Sequence, residues 1–487
     1  MTPALPRMLV IRLGARRWVG LPVAVGAALV VALGGPMVSV LIGATALLGL
    51  AFVWAPGALL AVYLLSGIYK APVQPYSPID ITVLLALFNA GQVVPMMRNG
   101  LPRQVSRPGI ALMLLVGFLY LAGALYAPDQ GIALRDAATY LLLIVAAILP
   151  AAWRVGSDPR YIRQFLWTVF AFGCLMVLAG IAALSSVQRL EVFGASTIEV
   201  SRAALLVPIV GMAFVLGQGG PPVRAATIVL IPLALIVAVA AGSRGPLIAL
   251  AIVVIAGFGG SFLRPGGTTW RAGVLIVGIV TVSIIAFAAL GNELPTVSTS
   301  RFGLFEDFLA RLVGGDPGGA VADTSASRRV ALFDVAGQMF VQRPLIGFGT
   351  GAFAAISPRY LAPPYEAWPH NSVLQFAAEF GVIGVGLFIG LVIVVLRRPL
   401  PGASGGALRA LVTFFLLNSL VSDDIYGARP TWGLVAVVLL VTVPAASRAA
   451  ATGIPRPSSL RLRAAEPTRV RQVRDGAARA PSGRASA

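Results

Sequence analysis

Apolar runs near the length of a bilayer crossing recur from residue 19 to residue 446, each bounded by Gly, Pro or Arg. No other feature constrains the fold as strongly. Helices are expected over 19–34, 37–54, 57–69, 79–97, 108–126, 136–152, 161–185, 201–217, 225–241, 245–262, 270–290, 372–396, 407–421 and 430–446. Several fall short of the ~20 residues that a spanning helix needs, and 57–69 is the weakest. The expectation is an all-α polytopic membrane protein with about 12–14 spans. Composition points the same way: 58% of residues are hydrophobic and 11% are charged, against roughly 25% charged in soluble domains. A soluble reading of the 487 residues is thereby excluded.

The net charge of +19 suggests a nucleic-acid binder until the charges are placed. Lys70 is the single lysine, so nearly all the basic charge is arginine, a bias that fits a GC-rich genome better than a function. With the N-terminus inside, most arginines fall on the cytoplasmic side and most carboxylates on the other, as the positive-inside rule requires. Topology then explains the charge, and no nucleic acid is needed. Cys174 is the only cysteine and His370 the only histidine, which excludes an intramolecular disulfide, a thiolate cluster and multi-histidine zinc chemistry. No cofactor and no metal is expected. The Ala32-Leu33-Gly34 sequence resembles a signal-peptide cleavage site, but the basic stretch before it and the spans after it favour an uncleaved anchor.

The expected organisation is a cytoplasmic N-terminus over 1–18, a transmembrane bundle over 19–290, a large extracytoplasmic loop over 291–371, C-terminal membrane helices over 372–446 and a disordered basic cytoplasmic tail over 447–487. Ala, Arg, Pro and Ser dominate that tail, which suits contact with anionic lipid headgroups. Inside the loop, Arg301 to Val313 has helical apolar spacing and could lie along the interface. A second helix is expected from Arg328 to Gln342, stopped by Pro344.

Two arginines break the positive-inside trend. Arg244, in Gly242-Ser243-Arg244-Gly245-Pro246, stands at the outer end of two consecutive spans, and Arg202 starts the span at 201–217. Snorkelling is one reading, and an ion pair with Glu199 is another for Arg202. An outward guanidinium at the membrane edge also suits a lipid-linked phosphate or diphosphate, which it grips with two parallel hydrogen bonds. His370 begins a membrane helix on the outer side, where the helix N-terminus favours a neutral imidazole able to accept a proton. Asn371, Gln375 and Glu379 continue from it at four-residue spacing as one polar stripe. Glu379 lies about 12 Å along that helix and is either a functional carboxylate or an interhelical hydrogen-bond group. The Gly347–Gly351 run lacks the ending of a phosphate loop, and Asp423-Asp424 lacks the Asp-x-Asp spacing of metal-dependent glycosyltransferases; Arg429 is expected to pair with one of those carboxylates.

These pieces converge. Arg329-Val-Ala-Leu-Phe333, Arg343-Pro-Leu-Ile-Gly-Phe-Gly-Thr-Gly-Ala-Phe353, His370-Asn-Ser-Val-Leu-Gln375 and Glu379-Phe-Gly381, with the upstream Ser243-Arg244-Gly245 turn, resemble the O-antigen ligase and polymerase superfamily. The resemblance covers roughly residues 200 to 390. Phe333 stands where tryptophan is common. The resemblance implies a glycosyltransferase of the bacterial inner membrane that uses no metal. Its donor is an undecaprenyl-diphosphate-linked glycan and its acceptor a glycan or lipid. It further implies that His370 orients or deprotonates the acceptor hydroxyl and that Arg244 and Arg329 hold the donor diphosphate, with the adjacent Arg328 one position away in register. Beside it, the reading of the residues themselves adds Arg202, Asn371, Gln375 and Glu379, with Arg328, as expected substrate-binding groups. Three competing readings are a polymerase of the same superfamily, a transporter of lipid-linked saccharides and an envelope scaffold. Transport predicts ionisable groups at mid-membrane on several spans and an internal repeat, whereas the polar chemistry here gathers on the outer side. A scaffold leaves Arg244 and His370 without a purpose.

Overall fold

The computed structural model describes residues 48–73, 80–99, 107–184, 190, 192–262, 324–361, 368–400 and 402–441. Within them the chain is helical, with one isolated bridge between Val192 and Ala195 and no strand. In chain order the helices are α1 (Pro56–Val73), α2 (Ile81–Ala90), α3 (Val93–Asn99), α4 (Arg107–Ala124), α5 (Gln130–Ser157), α6 (Pro159–Ala183) and α7 (Thr197–Gln218). They continue with α8 (Pro221–Ala240), α9 (Arg244–Phe262), α10 (Thr324–Gln342), α11 (Ala352–Ile356), α12 (Ser372–Arg397), α13 (Gly402–Ser419) and α14 (Arg429–Leu440). Five of them, α5, α6, α7, α8 and α12, are long and apolar enough to cross a membrane. The protein is a polytopic all-α membrane protein.

The expected spans match this order with instructive differences. The weakest expected span, 57–69, is the 18-residue α1, whose Leu59, Leu60, Ala61 and Tyr63 are fully or almost fully buried. The single span expected over 79–97 breaks at Gly91 and Gln92 into α2 and α3. The span expected over 136–152 starts earlier, where Asp129 accepts from Ile132 N, and widens to a π turn over Tyr140–Ala146. The expected spans at 19–34 and 270–290, the interfacial helix at 301–313 and the basic tail lie outside the described residues.

Local chemistry starts these helices. Asp158 accepts from Arg160 N at 2.8 Å and Pro159 opens α6, an arrangement that satisfies an end donor and presets φ. Ser196 and Glu199 close a reciprocal capping box on α7. Between helices, α6 packs on both α1 and α7, and α14 packs against the second half of α5. Close packing of small and aromatic side chains is what holds such a bundle, because lipid tails are as apolar as the side chains themselves. Tyr120 anchors one such cluster, stacked on Phe380 with ring centroids 5.4 Å apart and edge-on to Tyr426 at 4.8 Å.

α12 is interrupted. Gly381 takes φ 62°, ψ −153°, a conformation available in practice only to glycine. The Pro344–Gly349 turn fits against this break, with Phe348 N donating to Ala378 O at 3.1 Å, Gly349 N to Glu379 O at 2.8 Å and Val382 N to Pro344 O at 2.8 Å. The contact leaves no room for a side chain: a Cβ on Gly347 would lie 2.3 Å from the Glu379 carbonyl carbon. The glycine-rich run is therefore a backbone plug that satisfies the groups freed by the helix break. It is no nucleotide loop.

Candidate active site

A cavity of about 480 Å³ opens where α1, α7, α13 and the loop leading into α14 meet residues 368–370. His370 lines it, at the start of α12, in a left-handed backbone conformation with φ 55°. Its Nδ1 accepts from Trp368 Nε1 at 3.2 Å, and the two rings meet nearly edge-on. A neutral imidazole that accepts at Nδ1 carries its proton on Nε2.

Arg202 lines the same cavity from α7. Its Nη1 lies 2.6 Å from Asp423 Oδ1, its Nε donates to Asn418 Oδ1 at 3.2 Å, and its Nη2 donates to Ser422 Oγ. The sequence suggested Glu199 as its partner. Glu199 instead accepts from Ser196 N at 3.0 Å, because an acid at the third helical position is better used by the helix end than by a neighbouring guanidinium. Arg429 also differs from expectation: it pairs with neither Asp423 nor Asp424, and its Nη1 donates to Ser66 Oγ at 2.6 Å.

The polar stripe on α12 serves the protein itself. The Asn371 side chain accepts from Leu374 N at 3.0 Å and caps the helix. Gln375 is buried, donating to Asp424 Oδ1 and accepting from Ile425 N, both at 3.2 Å. Glu379 is wholly buried and accepts from Gly351 N at 3.2 Å, Phe353 N at 3.3 Å and the Tyr426 hydroxyl. One face of α12 thus fixes the 420–428 loop and the glycine-rich turn around the cavity. Asp424 also accepts from Gly427 N at 3.0 Å. Burial, with the Asp136 charge adding to it, pushes the Asp424 carboxyl up to about 6.

The other arginines named from the sequence are placed differently. Arg244 opens α9, and a Cβ on the adjacent Gly245 would lie 2.9 Å from Val421, so Arg244 stands beside the 420–428 loop without lining the cavity. Arg328 and Arg329 lie near the start of α10, which packs along α12, and they do not line the cavity either. The structure therefore groups His370 with Arg202, sets Arg244 nearby and leaves Arg328 and Arg329 on a neighbouring helix. Sequence reasoning had no role for Trp368, Ser422 or Tyr426. The adjacency of Asp423, Asp424 and Arg429 on one loop was the signal available.

No curated protein matches the chain in a sequence comparison. Residues 226–389, which include Arg244, Arg329, His370 and Glu379, match the family model described as O-antigen ligase. That segment is similar to the O-antigen ligase family, a similarity that points to a membrane protein of a glycan-processing class.

Proposed function

We propose that the protein is a glycosyltransferase of the O-antigen ligase type in the bacterial inner membrane, moving a glycan from an undecaprenyl-diphosphate donor to an acceptor hydroxyl on the outer side. The observation that carries this reading is the meeting of His370 and Arg202 in one cavity at one end of the bundle. The acceptor oxygen attacks the anomeric carbon of the donor sugar. The bond from that carbon to the diphosphate breaks, and the acceptor proton passes to the His370 imidazole. Arg244 and Arg202 stabilise the charge that develops on the leaving diphosphate, with Arg328 and Arg329 contributing from α10 once substrate is bound. One displacement without a protein nucleophile inverts the anomeric configuration. At rest the Trp368 indole occupies the basic nitrogen of His370. An acceptor hydroxyl is a donor of the same kind and takes the indole's place, so the base is exposed by the substrate it deprotonates.

The same chemistry serves a polymerase when the acceptor is a second lipid-linked repeat. Purified protein, incubated with an undecaprenyl-diphosphate oligosaccharide and candidate acceptors, tests both. Glycan on a new acceptor, seen by mass, identifies a ligase, and a longer lipid-linked chain identifies a polymerase. His370→Ala should abolish either product. A fully active His370→Ala protein removes the base assignment, and donor binding without any product supports transport instead.

A further inference from the structure

The two arginines that line the cavity are not equivalent. The charge on Arg202 is matched by Asp423. Among the described residues, no carboxylate oxygen lies within 4.0 Å of Arg429. One of its nitrogens donates to the buried Ser66, and its guanidinium carbon stands 5.8 Å from the centre of the buried Tyr63 ring. The nearby carboxylates are otherwise engaged: Glu199 closes the cap of α7, and Asp424 accepts from Gln375, Tyr426 N and Gly427 N. The charges of Asp80 and Glu199 reach Arg429 without touching it, and a half-buried cation with no carboxylate in contact among the described residues gains when an anion enters.

The cavity wall beside this charge is a bare glycine. A Cβ on Gly67 would lie 3.2 Å from Arg429 Nη2 and 3.8 Å from Glu199 Oε1, so a glycine there leaves open space between the fork of donors and the carboxylate that caps α7. Away from the charge the wall turns apolar, with Leu64, Leu206 and Phe415. A charge beside an apolar wall fits a molecule with an anionic head and a hydrocarbon tail.

We propose that Arg429 is a further anion-holding residue of this cavity, gripping the phosphoryl headgroup of an amphiphile whose chain lies against Leu64, Leu206 and Phe415. The inference deepens the transferase reading and rests on it for treating the cavity as a substrate site. It adds a residue outside the segment that matches the family model. The fork geometry selects a phosphoryl group, which it meets with two parallel hydrogen bonds. An isoprenoid diphosphate and an ordinary phospholipid both offer that chemistry.

The test uses the full chain in detergent, with farnesyl diphosphate, farnesol, inorganic diphosphate and a short-chain phosphatidylglycerol as probes, each titrated by calorimetry. The wild type should prefer farnesyl diphosphate to both farnesol and inorganic diphosphate. Arg429→Gln should reduce the ratio of farnesyl diphosphate to farnesol affinity about tenfold, the loss of one charge-assisted contact. Arg429→Lys should fall between. This ratio is insensitive to a general loss of folded protein, and if Arg429→Gln does not fold, the lysine variant is read in the same way. An unchanged ratio in the variant that folds overturns the proposal, as does a wild type that binds farnesol equally well. Comparable, Arg429-dependent binding of phosphatidylglycerol keeps the proposal and assigns the site to phospholipid. No probe carries a sugar, so a protein that binds them but never transfers glycan fails the transferase reading alone.

Discussion

Arg202 Nη1 lies 2.6 Å from Asp423 Oδ1 across 221 positions of sequence, with 12% and 11% of the two side chains exposed. This pair ties α7 to the loop that forms one wall of the cavity. Asp423 also accepts from Thr431 at the start of α14, so three elements meet at one carboxylate. Asp423→Ala leaves the Arg202 charge with only neutral partners and should cost about 3 kcal/mol, the lower end for a broken buried pair because this one borders a cavity. Denaturant unfolding in detergent measures it. Removing Arg202 as well should cost less than the sum of the two single changes, and strict additivity would mean the pair contributes nothing.

Glu379 is a second junction. Its carboxylate joins the glycine-rich turn to Tyr426, so its expected role is to hold the cavity in shape. Tyr426→Phe removes one donor and should lower stability by about 1–2 kcal/mol. Glu379→Gln places an amide donor against backbone donors and should cost more. In both variants kcat should fall with the folded fraction while the acceptor KM stays constant. A raised KM at unchanged stability would put Glu379 on the substrate.

Much of this arrangement was legible along the chain, and the reason is physical. Helix starts and the stripe Asn371, Gln375, Glu379 depend on residues within about two turns of one another, whereas the break at Gly381, inside a helix expected to run unbroken over 372–396, is met by a turn more than thirty positions earlier. What the stripe faces is not local either. Glu379 meets a tyrosine 47 positions later, and Arg202 passes over Glu199, three positions away, to reach Asp423. A capping box competes for Glu199, and composition cannot reveal that competition. The expected Arg429 pairing failed similarly: nearness in sequence put the cation beside Asp423 and Asp424, while the start of α14 turns it toward α1.

Asp424 sets a pH dependence. Its carboxyl titrates near 6 in the fold, against about 4 in an unfolded chain. Between those values the folded form binds the extra proton, so the contribution of Asp424 to stability should decline as pH rises from about 4 to about 6 and then stay level. Asp424→Asn should flatten that slope. Unfolding curves at half-unit pH steps show whether it does. A slope that survives the substitution assigns the titration to another group.

Trp368 should control which hydroxyl is activated. Trp368→Phe removes the indole donor while keeping a ring, leaving His370 Nδ1 open to water. The expected outcome is more donor hydrolysis relative to transfer, measured as the ratio of free to acceptor-linked glycan. An unchanged ratio would mean that the indole packs against the imidazole without guarding it.

The hydrogen bond between Arg429 and Ser66 spans 363 positions. One wall of the cavity is therefore synthesised early and the other only as the last described helix emerges. A nascent chain that holds α1 but not yet α14 lacks Arg429, and its cavity is incomplete.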